Sequence, residues 1–188
     1  DFEYGIQFVS FYMPGHFLPH VRMMQTGYED VALVNDFELK YAIIRKSKPY
    51  DTTTLNYNWQ IWNTQAFSIY TNKTDTIDES TTDEAVHSVL RFLKARDIIS
   101  CKPRRGFVTT TLYEEQMLSI KTTKAGIYKY LKKPGEEVYE GEILAHIIDP
   151  YVGKIIGQVR APKRGVVFFV YANSLIMEQT VAYKLIVG

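Results

Sequence analysis

Apolar and polar positions interleave over "DFEYGIQFVSFY" (1–12), and the pattern predicts a strand. "YEDVALVNDF" (28–37) carries Val31, Val34 and Phe37 at helical spacing, and "YAIIRK" (41–46) reads as a strand again. "TLNYNWQIW" (54–62) is aromatic-rich and predicts one or two helical turns; "AFSIYT" (66–71) predicts a short buried strand. A longer helix follows. Thr81 and Glu84 match a capping box, in which the hydroxyl accepts the Glu84 N–H and the carboxylate accepts the N–H of Thr81. Val86, Val89, Leu90 and Leu93 then mark one helical face running to about Ala95. Strands alternating with helices predict a largely parallel α/β sheet.

Past "SCKPRRG" (100–106) the helical period vanishes. Short runs such as "GFVTTTLY", "MLSIKT", "GIYKYL", "ILAHII", "KIIGQVR", "GVVFFVY" and "AYKLIV" recur, separated by turn signals such as "KKPGEE" and "DPYVG". The expectation is an α/β domain over residues 1–103 and an all-β domain over 104–188. The second half also contains a duplication. Gly126, Ile127, Val138, Gly141 and Ile143 correspond to Gly165, Val166, Ile176, Gln179 and Val181, offset by 38 or 39 positions. Two copies suit a small barrel-like sandwich with pseudo-twofold symmetry.

Charge changes this picture little. With 22 basic and 21 acidic residues, the chain lacks the clustered basic excess of a nucleic-acid binder. Cys101 is the single cysteine, which rules out an internal disulfide and a cysteine-built zinc cage and fits a reducing, cytoplasmic setting. No apolar run approaches the ~20 residues of a membrane helix. The first residue is Asp1, and the opening strand has no lead-in, so the sequence reads as one entered in its middle.

The candidate chemistry gathers in "PGHFLPHVR" (14–22), where His16, His20 and Arg22 lie close in sequence. Pro14 and Pro19 argue against a helix that would set both imidazoles on one face, so the two histidines are expected in loops. No G-x-S-x-G elbow and no glycine-rich phosphate loop occurs. Cys101 has no base near it in sequence. Tyr57, Trp59, Trp62 and Phe67 read either as a ligand-stacking cluster or as core.

"AGIYKYLKKPGEEVYEGEILAHI" with "VRAPKRGVV" resembles the biotinyl/lipoyl carrier fold, a barrel-sandwich hybrid. Lys154 is the one lysine on the hairpin "IDPYVGKII", and it lacks the "MKM" or "DKA" setting of a modified lysine. Across both halves, "PHVR", "QAFSIYTNKTDTIDE" and "GEILAHIIDP…VRAPKRG" resemble the C-terminal portion of the succinylglutamate desuccinylase/aspartoacylase family of zinc-carboxypeptidase-like deacylases. The resemblance implies a partial carboxypeptidase-like α/β domain followed by the β domain, and a zinc-dependent hydrolase of the amide bond in a small N-acyl amino acid or related compound.

It further implies Glu3 as a metal ligand in place of the histidine of a D-x-H strand end, and Arg22 as the residue that grips a substrate carboxylate, with His20 and His16 beside it. An arginine paired to a structural acid is the alternative for Arg22. The family's H-x-x-E motif does not occur. Its proton-shuttling glutamate falls where Tyr70, Thr71 and Asn72 stand, with Asp75, Asp78 and Glu79 the nearest carboxylates. A catalytically degenerate, ligand- or partner-binding relative is therefore the competing reading. The implied partner is a small molecule carrying a carboxylate, and self-association is expected where part of the sheet lacks a neighbour.

Overall fold

A computed structural model of the protein describes residues 2–74 and 76–187. The chain forms a sheet-rich, mixed fold with few helices, divided into two compact units. The first comprises residues 1–10, 19–72 and 77–114; the second comprises 11–18, 73–76 and 115–188.

The first unit is built on a five-stranded sheet in the order Tyr4–Val9, Gln65–Tyr70, His20–Gln25, Tyr41–Lys46, Thr110–Tyr113. Three of its pairings are parallel, and only His20–Gln25 against Gln65–Tyr70 is antiparallel. A largely parallel sheet needs cover on both faces. The helix Glu79–Ala95 and a 3₁₀ turn at Val31–Phe37 cover one face, enclosing Val21, Met23, Ile44, Phe67, Ile69 and Phe92. Phe37 stacks on Phe92 with ring centroids 4.4 Å apart. The short helix Leu55–Ile61 packs on residues of opposite parity, and Gly5 makes room for it: a Cβ there would lie 2.3 Å from the Trp59 ring.

Two local expectations are corrected. Val31, Val34 and Phe37 recur every three residues, which is the period of a 3₁₀ helix, and the segment takes that form. The long helix is capped one turn earlier than the capping box implied: Asp78 is the N-cap, and its carboxylate accepts from the Thr81 N–H. Glu84 is thereby released to bond Arg91 and Arg104.

The second unit holds two sheets. One runs Ile155–Arg160, Ile143–Ile148, Gly126–Tyr130, Leu175–Ile176; the other runs Gly15–Phe17, Gly165–Tyr171, Val181–Ile186, Met117–Lys121, with Glu137–Val138 also paired to Gly165–Tyr171. The duplication is visible in the backbone. Each copy has a long strand, a two-residue strand, a residue with positive φ (Gly141 at 81°, Gln179 at 62°) and a second long strand. The copies also exchange their short strands: Val138 pairs with Gly165 of the second copy, and Ile176 with Gly126 of the first. Leu144, Ile147, Val167, Val170, Ala182 and Leu185 fill the interior.

The division between units differs from a cut after residue 103. Thr110–Tyr113 pairs with Tyr41–Lys46 and belongs to the first unit, whereas Gly15–Phe17 pairs with Gly165–Tyr171 and belongs to the second. Among the described residues, no helix is long and apolar enough to cross a membrane.

Candidate functional site

Alternation along the strands of the first unit sends Val21, Met23, Phe67 and Ile69 toward the long helix and leaves Gln7, Ser68, Tyr70, His20, Arg22 and Arg45 on the other face. This second face is polar and largely enclosed. Gln7 Nε2 donates to Asn56 Oδ1 at 2.6 Å and to Ser68 Oγ at 3.1 Å, and Asn56 Nδ2 donates to Ser68 Oγ at 2.5 Å. Arg45 pairs with buried Asp51, whose other oxygen accepts from the Lys48 N–H at 2.7 Å.

Arg22 lies across from Ser68 in the ladder, and its side chain reaches the end of the Gln65–Tyr70 strand. Its Nη1 donates to the Tyr70 hydroxyl at 3.1 Å, and its Cζ sits 4.5 Å from that ring's centroid. His20, opposite Tyr70, is fully buried and stacks on the same ring at 4.5 Å with an interplanar angle of 7°. Burial pulls the Arg22 pKa below the usual arginine value; Tyr70 opposes the fall, Arg45 adds to it, and Glu114 and Asp51 oppose it. The guanidinium stays charged.

Of the three residues picked from the sequence that lie in the first unit, two come together and one does not. Arg22 and His20 meet on Tyr70, at the carboxyl end of the Gln65–Tyr70 strand. Glu3 stands at the opposite end: the Gln65 N–H donates to its carbonyl at 2.8 Å, and its exposed carboxylate accepts from the Tyr4 hydroxyl at 2.5 Å. His16 lies on Gly15–Phe17 in the second unit, where its ring meets Tyr130 edge-on with centroids 6.0 Å apart. Burial, and then Lys73, lowers the His16 pKa from its ordinary value. Neither histidine is in a loop, because both lie on strands that bypass the two prolines.

Zinc does not fit the donors present. Among the described residues, no three His, Cys, Asp or Glu side chains converge. The carboxyl end of Tyr4–Val9 carries Val9, paired to Tyr70, and neither is an imidazole or a carboxylate. Asp78 is committed to its helix cap, Glu79 lies in the first helical turn, and Asp75 lies outside the described residues. Sequence reasoning did not single out Gln7, Arg45, Asp51, Asn56 or Ser68. The available signal was the polar residue set into three otherwise apolar strands, "YGIQFV", "YAIIRK" and "QAFSIY". Of the aromatic cluster, Phe67 is core, Trp59 covers Gly5 and Trp62 is exposed. Cys101 is partly buried with its thiol 3.9 Å from the Leu90 carbonyl, and Lys154 is an exposed turn residue.

The arrangement of elements is shared with several solved structures. The structure superposes on the product-bound ectoine utilization protein EutE (DoeB) from Ruegeria pomeroyi with a TM-score of 0.79 at 14% identity, over 96% of this chain and 56% of that one. A succinylglutamate desuccinylase from Silicibacter sp. matches with a TM-score of 0.79 at 14% identity, over 98% and 58%. A succinylglutamate desuccinylase/aspartoacylase from Rhodobacter sphaeroides matches with a TM-score of 0.78 at 14% identity, over 97% and 57%. The chain thus has the fold of succinylglutamate desuccinylase/aspartoacylase family proteins, spans a little over half of their length, and is consistent with their C-terminal portion. The sequence itself matches no family model and no curated protein.

Proposed function

We propose that this chain is the C-terminal part of a deacylase-type hydrolase that cleaves the amide bond of a small N-acyl amino acid or a related compound. The observation that carries the reading is a fold likeness running through nearly the whole chain. In this reading the first unit is part of a carboxypeptidase-like catalytic domain, and the second is a barrel-sandwich-hybrid-like domain. Arg22 holds a carboxylate of the substrate through paired N–H groups, the geometry for which a guanidinium is suited. Tyr70 braces the guanidinium, and His20 behind Tyr70 fixes that ring. Because Glu3, His16 and His20 do not fit a zinc ion, any metal ligands come from another part of the protein.

A second reading is favoured by one observation. The strand Gln65–Tyr70 ends at Tyr70, followed by Thr71 and Asn72, where a carboxylate base is expected from the resemblance. That substitution suits a degenerate relative that binds the carboxylate compound without cleaving it. Assay of the whole protein on a panel of N-acyl amino acids, with and without a chelator, is paired with calorimetric binding of the intact compounds. Chelator-sensitive cleavage supports the hydrolase, binding without cleavage supports the degenerate relative, and the absence of both removes the two readings together.

A further inference from the structure

A separate cleft of about 370 Å³ opens in the first unit, lined by Glu38, Arg91, Lys94, Pro103, Arg104 and Arg105. Arg91 and Lys94 come from the helix that covers the apolar face of the sheet, so the cleft belongs to the side away from Arg22 and Tyr70. Its frame is held rigidly. Arg91 is almost fully buried; it donates from Nε to the Phe37 carbonyl at 2.9 Å, from Nη1 to the Arg104 carbonyl at 3.0 Å and from Nη2 to Glu84 at 2.6 Å. The Arg104 N–H donates to His87 Nδ1 at 3.2 Å, and the Arg104 guanidinium bonds Glu84 at 2.9 Å and Asp83 at 2.8 Å. Gly106 lets the loop close on this frame: a Cβ there would lie 2.4 Å from the Glu38 carbonyl oxygen and 2.8 Å from the Arg91 Cζ.

The charges around the cleft do not balance. Arg91 and Arg104 are met by Glu84 and Asp83, and Glu38 is held by the Gly106 N–H at 2.8 Å and by Arg91 at 3.6 Å. The side chains of Lys94 and Arg105 are exposed and make no hydrogen bond or ion pair with any described residue. Two exposed cations therefore stand over a floor whose guanidinium groups are already paired. Among the described lining residues Glu38 is the one carboxylate, and it is itself tied down. We propose that this cleft binds a small organic or inorganic dianion, either a phosphate group or a dicarboxylate. Lys94 and Arg105 close on its two charges, while Arg91 and Arg104, already paired with Glu84 and Asp83, shape the floor beneath. The volume of about 370 Å³ admits such a molecule with its first waters.

The test is titration of the whole protein with inorganic phosphate and, separately, with succinate, followed through backbone amide NMR signals, with chloride and acetate as monoanion controls. The expected result is saturable shifts centred on residues 94–106, stronger for the dianions than for the controls and weakened by added salt. Loss of both exposed cations in the Lys94→Ala/Arg105→Ala variant weakens binding about tenfold. Glu38→Gln tightens it, and Arg22→Lys leaves it unchanged, which separates this site from the carboxylate site proposed above. A preference for phosphate or for succinate identifies which dianion the cleft takes. Shifts that fail to saturate, that survive the double variant, or that centre on Arg22 would overturn the proposal.

Discussion

Two interiors of this protein handle buried polar groups in different ways. On the polar face of the first unit, side chains bond other side chains: Gln7, Asn56 and Ser68 form a triangle, Arg45 meets Asp51, and Arg22 meets Tyr70. In the second unit the buried hydroxyls bond the backbone, with Tyr128 and Tyr183 also bonded to each other. Tyr183 donates to the Leu144 carbonyl at 2.6 Å, Tyr128 to that of Ala182 at 3.4 Å, and Thr122 to that of Met177 at 2.7 Å. A hydroxyl bound to a carbonyl locks one turn or strand in place. A side-chain network can exchange a partner for a ligand, and it is costly when left half-satisfied. The difference fits the proposed function, in which the first unit carries the chemistry and the second serves as its scaffold.

The sharpest way to break this comparison is to remove one member of the buried ion pair. Asp51→Ala strands the Arg45 guanidinium, whose side chain is 12% exposed, and should cost the first unit about 3 kcal/mol in chemical denaturation. A loss under about 1 kcal/mol would mean that water already screens the pair, and the face would then be an ordinary surface.

The scaffold should fail by base. Burial pushes the Tyr183 hydroxyl up to about 12 from its ordinary value of 10, and burial raises Tyr128 as well. Below pH 10 the Tyr183 phenol is neutral both folded and unfolded. Between pH 10 and 12 only the unfolded chain ionises there, so stability falls as pH rises through that window, by on the order of 2 kcal/mol. Tyr183→Phe should flatten the slope measured by denaturation at stepped pH. An unchanged slope would show that the hydroxyl is not the group being read.

A smaller effect is expected within the triangle. Ser68→Ala removes the oxygen that accepts from both Asn56 and Gln7, and should cost about 1 kcal/mol, chiefly through the unsatisfied amide of Asn56. A neutral result would indicate that a water replaces the hydroxyl.

How much of this was legible in the sequence depended on whether the signal was local. Alternation located Tyr41–Lys46 and, within one residue, Gln65–Tyr70. The duplicated positions found two residues of positive φ, Gly141 and Gln179, although one is not a glycine. Strand pairing is not local, so nothing in "GFVTTTLY" reveals that Thr110–Tyr113 joins a sheet begun a hundred residues earlier, or that Gly15–Phe17 leaves it. The site suffered in the same way. Arg22 was found from a short motif, whereas Tyr70, its partner in space, stands 48 residues away. Glu3 is matched to a strand end on the letters "DFE", but Glu3 precedes the strand Tyr4–Val9, at the end of the sheet away from Arg22 and Tyr70.

The smallest effect on stability should come from the residue with the largest effect on binding. Arg22→Lys keeps a positive charge beside Tyr70 and should change folding stability by less than about 1 kcal/mol, since the strand and its apolar neighbours are untouched. A lysine cannot present two parallel N–H groups or lie flat against the ring, so a carboxylate ligand loses its paired contact. Binding of an N-acyl amino acid by the whole protein should weaken about tenfold in calorimetry, the equivalent of one charge-assisted hydrogen bond. Equal binding by both proteins, with stability unchanged, would reduce Arg22 to a structural partner of Tyr70, and the polar face would have to take its ligand elsewhere. A large loss of stability with binding retained would place Arg22 with Asp51 among the groups that hold the face together, and would remove the distinction between a network that binds and one that folds.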